Sequence, residues 1–384
     1  MLDEGSDRRS ATEIAAAMER LGGRLSTSAG WNSTYLSASL LSQDLATGLE
    51  LMAELTLSPS FPEQELERLR RERLAELLQE REDSRTLASR RFAEVVFQGT
   101  PYQHPLEGDE ESVATITRQE MAGFYRRYLL AGGSFLVAVG DLDPEELAEQ
   151  ARSLLGSAFA APRPELPSFD VRPLETLEVH VVDRPGAAQT ELFLGHDCLR
   201  RRDPDFLPLM VTNSILGGKF TSRINLNLRE RHGYTYGAHS QVIGRLGPGQ
   251  FLISAAVGTE VTGAAVRETV KEIRRIQEEL VTEEELADTK SYLRGIFAQQ
   301  LQTVDDLAFR LGTLALYELP DDYYDHYHDE IGRTDREQVR EMARRYFHPE
   351  RMALVAVGPA SQLVPQLEDL GPVVVWDPAL AGSG

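Results

Sequence analysis

Two spacings of apolar residues divide this chain. From Ser10, Ala11, Ile14, Ala15, Met18 and Leu21 recur at three- and four-residue intervals, the period of a helix with one buried face, and Gly22-Gly23 supplies a stop. Short strands are predicted at about 24–28 and from Trp31 to Leu41, then a helix from Gln43 to Leu55 and a charged helix from Pro62 to roughly Asp83. The later part of the chain starts differently. TLEVHVVDR (176–184) and TELFLGHD (190–197) read as strands ahead of any helix. Strands are also expected from Tyr234 to Val242 and from Gln250 to Val257, joined across Gly247-Pro-Gly249 as a hairpin, with helices around 260–279 and 283–300.

The pattern is written twice. Arg126, Arg127 and Tyr128 precede LVAVG (136–140), and Arg344, Arg345 and Tyr346 precede LVAVG (354–358), an offset of 218 residues. Pro62 to Leu66 with Leu87, Ala88 and Arg90 is echoed at an offset of 220 by Thr282 to Leu286 with Leu307, Ala308 and Arg310. Both LVAVG runs follow polar helix formers and are expected to be buried strands. The period is far longer than a solenoid repeat, so it implies two homologous domains, each able to bury a core. The prolines between Ala160 and Pro167 mark the join. The expectation is α+β, with largely antiparallel sheets: one domain at 1–160, a linker at 161–169 and a second domain at 170–384. The first copy has no counterpart of the strands that open the second, so the chain is expected either to lack its front or to start inside a longer frame.

Composition narrows the function classes. With 41% apolar and 26% charged residues the chain is globular, and no run of 18 apolar residues could cross a membrane. Its formal charge of -21 repels phosphate backbones, which disfavours nucleic acid. Met1-Leu-Asp-Glu-Gly-Ser has neither the basic nor the apolar region of a signal peptide, and nothing fixes a compartment. Cys198 stands alone, excluding an intrachain disulfide and a cysteine metal cluster, and is expected to be a structural thiol.

Most candidate chemistry fails on spacing. Gly217-Gly218-Lys219 lacks the first glycine and the hydroxyl residue of a phosphate loop, since Asn213 and Phe220 stand there, so a glycine helix end or turn is expected. No His pair has metal-ligand spacing. His326 and His328 are two residues apart and would not share a helical face, which favours a solvated surface. The segment LGGKFTSRINLNLRERHGYTYGAHS (216–240) is more informative. A helix there should end with Gly233 just past its last turn and lead into a strand, on which Tyr234, Tyr236, Ala238 and Ser240 should share one face. Arg229 and Tyr236 can then meet across the turn. A solvated helix-end arginine and a sheet-packed tyrosine would give the same spacing.

This segment resembles the carboxyl-terminal signature of the pitrilysin and insulinase family of zinc peptidases, which includes the mitochondrial processing peptidases. The blocks 9–41, 57–74 and 101–121 and both LVAVG ends resemble family blocks in family order, so the likeness covers nearly the whole chain. The resemblance implies paired α+β domains closing around a peptide chamber. It also implies site roles for Arg229 and Tyr236, with Gly217 and Gly218 in the substrate-binding loop. Active members bind zinc through His-x-x-Glu-His and a further Glu downstream. Alignment puts the first motif immediately before Met1, while the downstream ligand falls on Leu77, which cannot coordinate a metal. A one-residue slip would offer Glu76 instead.

The expectation is therefore a non-zinc subunit with no metal of its own, inactive alone. A zinc-bearing homologous partner would supply zinc and base, Arg229 and Tyr236 would steady the oxyanion, and an extended peptide would be the substrate. The rival expectations are a non-catalytic assembly subunit, or a complete zinc peptidase whose front is missing from the chain.

Overall fold

Side-chain caps set the first helix where the apolar period starts. Ser10 Oγ accepts from the Glu13 N–H at 3.4 Å and the Glu13 carboxylate accepts from the Ser10 N–H at 2.9 Å, so the helix Ala11–Arg20 opens on a reciprocal cap. Its apolar stripe, Ile14 and Met18, packs with Leu51 and Leu55 of the helix Leu45–Leu57. Between these helices in sequence, β1 (Arg24–Ala29) and β2 (Thr34–Ser39) form an antiparallel hairpin. The computed structural model describes residues 1–130, 132–159, 162 and 164–377, and the chain divides into two units. The first comprises Met1–Leu78, Leu106–Leu166 and Gln300–Leu316. The second comprises Gln79–Pro105, Pro167–Gln299 and Tyr317–Gly384.

These units do not follow the expected boundary at 161–169. Residues 79–105 belong to the second unit and 300–316 to the first, and the 220-residue echo makes these segments equivalent. Both keep the same local contact: Arg90 donates to Glu80, ten residues before it, and Arg310 donates to Gln300, again ten before. Of the linker, Ala161 and Arg163 lie outside the described residues, as does Ala160 just before it, and 164–174 has no regular secondary structure.

In the second unit a six-stranded sheet runs in the order β5-β6-β4-β7-β3-β8, built from β3 (Glu178–Asp183), β4 (Gln189–Cys198), β5 (Thr235–Ile243), β6 (Gly249–Gly258), β7 (Ala353–Gly358) and β8 (Val373–Trp376). The α+β class holds, and β5 and β6 form the expected antiparallel hairpin. The largely antiparallel expectation holds too, since β4–β6, β5–β6 and β4–β7 pair antiparallel and parallel pairing is confined to β3. β3 and β4 are not neighbours, because β7 inserts between them, antiparallel to β4 and parallel to β3, and β8 is also parallel to β3. A fully apolar run is suited to that central position, since both its faces are covered. Leu354 and Ala356 face a core built with the helices Phe206–Asn213, Thr262–Glu278 and Arg336–Tyr346. Val355 and Val357 face the opposite core, with Leu87, Phe92 and Val96 of the helix Ser84–Val96.

The first LVAVG copy is not a strand. Leu136 to Val139 are half-buried and have no ladder of hydrogen bonds. A strand needs neighbours to take its N–H and C=O groups, and among the described residues the first unit offers only the β1–β2 hairpin. No helix is long and apolar enough to cross a membrane among the described residues.

Candidate functional site

The segment 206–231 begins as a buried helix and ends at two wide turns. Residues 214–218 and 226–231 wind more loosely than an α-helix, a departure often found at functional sites. Gly217-Gly218 closes the first part, followed by an extended Lys219, so the glycine pair ends a helix. A Cβ on Gly217 would lie 2.4 Å from Ser240 Oγ and 2.8 Å from Ser240 N, which is why glycine is needed where this segment presses on β5. Gly217 is buried and Gly218 half-buried. Beside them, burial holds the Lys219 ammonium below the usual lysine range, against the pull of Asp288 and Glu285.

Buried polar anchors hold the second part. Arg223, 8% exposed, donates two hydrogen bonds to the Glu285 carboxylate, at 2.8 and 3.0 Å. Burial would raise the Glu285 carboxyl, but the Arg223 and Thr282 hydrogen bonds outweigh it and bring the group down to about 2. Asn227 Nδ2 donates to Glu268 at 3.0 Å and to Glu272 at 2.8 Å, which pins the next turn onto the helix Thr262–Glu278. With Ile224 and Leu228 also buried, these anchors orient Arg229 outward at the helix end. Its guanidinium lies 4.6 Å from the centre of the Phe220 ring and 3.3 Å from the Glu230 carboxylate.

Gly233, with φ of +66°, turns the chain from helix to β5, as its spacing suggested. His232 stacks on Tyr234 at 4.9 Å, and its Nε2 lies 3.8 Å from Glu268. The strand then departs from simple alternation. Thr235 pairs with Val257 and Ala238 with Ala255, so three steps along β5 match two along β6. This bulge is held by Thr235, whose Oγ1 donates to the Ala256 carbonyl at 2.6 Å and accepts from the Gly237 N–H at 3.1 Å. The expected shared face is thereby broken. Ala238 and Ser240 are buried, whereas Tyr236 is 89% exposed at the crest of the bulge. The sheet-packed tyrosine is thus excluded, and Tyr236 has no hydrogen-bond partner among the described residues.

The other sequence candidates resolve as ordinary structure. His326 pairs with Asp322 at 3.1 Å on an exposed surface, and His328 packs edge-on against Phe297. Burial pushes the Cys198 thiol up to about 12, which leaves it inert. Leu77 is 1% exposed in the first unit, and Glu76 beside it is solvated and paired with Arg73 at 2.8 Å. Among the described residues, no three His, Cys, Asp or Glu side chains gather in an arrangement that could hold a metal ion.

Residues 1–110 match the model of the Insulinase (Peptidase family M16) family, and residues 115–293 match that of the Peptidase M16 inactive domain. The chain belongs to the insulinase (M16) peptidase family. Among its M16 relatives is an uncharacterized zinc protease of Mycobacterium tuberculosis, 26% identical over 94% of this chain and 82% of the relative. Another, from Bacillus subtilis, is 21% identical over 94% of this chain and 87% of the relative. The solved peptidase M16 inactive domain of Pseudomonas fluorescens superposes with a TM-score of 0.85 at 26% identity, covering 94% of this chain and 86% of that one. A Helicobacter pylori protease, 18% identical with a TM-score of 0.81 over 93% and 87% of the two chains, shares the fold.

Sequence spacing missed several residues that shape this candidate site, chiefly Asn225, Asn227 and the bulge threonine Thr235. A signal was present: Asn225 and Asn227 alternate with Leu226 and Leu228, placing polar side chains in a helix that must bury part of its surface.

Proposed function

We propose that this chain is the non-zinc subunit of a two-chain M16 peptidase. It lends Arg229 and Tyr236 to a reaction whose zinc and general base belong to a homologous partner. The observation that carries this reading is Tyr236, a phenol 89% exposed on a bulge fixed by buried hydrogen bonds. Such an arrangement spends fold stability on presenting a side chain, and an assembly subunit has no evident use for it. Leu77, a buried aliphatic side chain at the position where the family pattern puts a metal ligand, supports the division of labour. The likeness to proteins described as M16 inactive domains supports it too.

The chemistry asked of this chain is modest. When the peptide carbonyl becomes tetrahedral its oxygen gains negative charge, and the Tyr236 phenol and Arg229 guanidinium can donate hydrogen bonds to it. Phe220 beneath the guanidinium restricts its motion, which reduces the ordering required at the transition state. Gly217 lets the end of the preceding helix press on β5 and Gly218 follows it at the helix end, together forming the glycine-rich part of the substrate-binding surface, and the substrate lies extended along a sheet edge of the partner.

The test is reconstitution with a zinc-bearing homologue from the same genome, followed by steady-state kinetics on a fluorogenic peptide. Tyr236→Phe removes one hydroxyl and Arg229→Lys removes the planar fork. Each should lower kcat by about tenfold to a thousandfold with KM little changed. Wild-type turnover by a folded, assembled double variant contradicts the assignment and favours an assembly role.

A further inference from the structure

We infer that Asn225 is the positioning residue of this site, a single buried amide that sets Tyr236 and Arg229 together; the inference rests on the function proposed above. Asn225 is 1% exposed and lies in the short helical stretch Arg223–Asn225. Its Oδ1 accepts from the Ala238 N–H at 3.0 Å, and its Nδ2 donates to the Phe220 carbonyl at 2.7 Å. Ala238 closes the bulge whose crest carries Tyr236. The ring of Phe220 underlies the Arg229 guanidinium at 4.6 Å. One end of the amide therefore holds the strand that presents the phenol, and the other holds the loop that supports the guanidinium. An amide suits this task because it combines a donor and an acceptor in one planar group, which neither a carboxylate nor a hydroxyl reproduces at both ends.

The neighbouring Asn213 provides an internal control. It is 3% exposed and binds the same strand further along, donating to the Ser240 carbonyl at 3.1 Å and accepting from Ser240 Oγ at 2.7 Å. Its bonds reach neither the bulge nor Phe220. Loss of either asparagine removes two buried hydrogen bonds, so both should destabilise the fold alike, and only the loss at Asn225 should act on the reaction.

The experiment measures kcat and KM for the reconstituted complex, below the melting temperature of every variant. Asn225→Ala should lower kcat about tenfold to a hundredfold with KM within about threefold, as expected when donors are displaced by a fraction of an ångström to an ångström. Asn225→Asp keeps the acceptor for Ala238 and loses the donor to Phe220, so it should retain more activity than Asn225→Ala. It also serves if the alanine variant fails to fold. Asn213→Ala should turn over at nearly the wild-type rate. In the Tyr236→Phe background, Asn225→Ala should cost less than it does alone, because part of what it positions is already gone. Wild-type kcat for folded Asn225→Ala alongside impaired Tyr236→Phe overturns the positioning role and leaves the proposed function standing. So do losses at Asn225 and Tyr236 that multiply in full, or an equal loss from Asn213→Ala. Wild-type kcat for Tyr236→Phe overturns the proposed function, and this inference with it.

Discussion

The two LVAVG runs are identical in sequence and opposite in fate. At 354–358 the run is the strand β7, with Leu354 to Val357 fully buried and β3 and β4 on either side. At 136–140 it is half-buried and forms no strand. Local propensity is the same in both, so the difference lies in the neighbours. Backbone groups must be paired and apolar faces must be covered, and only the second copy has strands on both edges and helices on both faces to do so. A duplicated sequence thus encodes a shared preference, which its surroundings complete or withhold.

Truncation at equivalent positions should break the symmetry most clearly. Leu354→Ala empties a packed interior and should cost about 2–5 kcal/mol, whereas Leu136→Ala should cost less than about 1 kcal/mol because its site is already partly solvated. Urea denaturation of the two variants measures this. Equal losses would mean that the first run is as tightly packed as the second.

The strand beside β7 should also carry an acid-sensitive group with no equivalent near the first run. His196 on β4 donates from Nδ1 to the Asp197 carbonyl, while its Nε2 accepts from the His348 N–H at 3.2 Å. Burial pulls the imidazole from its ordinary 6.5 down to about 4. The folded state then binds fewer protons than the unfolded state, so this stability is complete above pH 6.5 and is lost as pH falls towards about 4. The loss should amount to about 3 kcal/mol, and His196→Gln should remove that pH dependence. An unchanged slope in the variant would assign acid sensitivity elsewhere.

A smaller effect is expected at the far edge of the same sheet. Gly217→Ala places a methyl against Ser240 backbone and should cost about 1–3 kcal/mol in thermal unfolding. No loss would mean that the segment 214–218 can move off β5, and that the site scaffold is looser than its hydrogen bonds imply.

Much of the fold was legible because it depends on local periodicity. The helix spacing around Ile14 and Met18, the hairpin β5–β6 and the turn at Gly233 all follow from residues within a few positions of one another. The insertion of β7 between β3 and β4 was not legible, since it pairs residues more than 150 positions apart. The exchange of 79–105 and 300–316 between units escaped for the same reason. At the candidate site, the family pattern singled out Arg229 and Tyr236, but strict alternation put Tyr236 on the wrong face. One extra residue in a strand reverses its phase, and that residue is defined only against β6. Asn225 was hidden likewise: its two partners lie on segments that come together only when folded.

The division of labour between this chain and a zinc-bearing partner is tested most directly by measuring zinc and cleavage on the same purified samples. Elemental analysis after dialysis against zinc-containing and then metal-free buffer should find no stoichiometric zinc on this chain alone, and it should leave an unfolded peptide intact. The reconstituted complex, eluting as one species with an interface of well over about 1,000 Å², should hold zinc and cleave the peptide. One tightly bound zinc per lone chain, with cleavage abolished by chelator, would contradict the account and make this chain a peptidase in its own right.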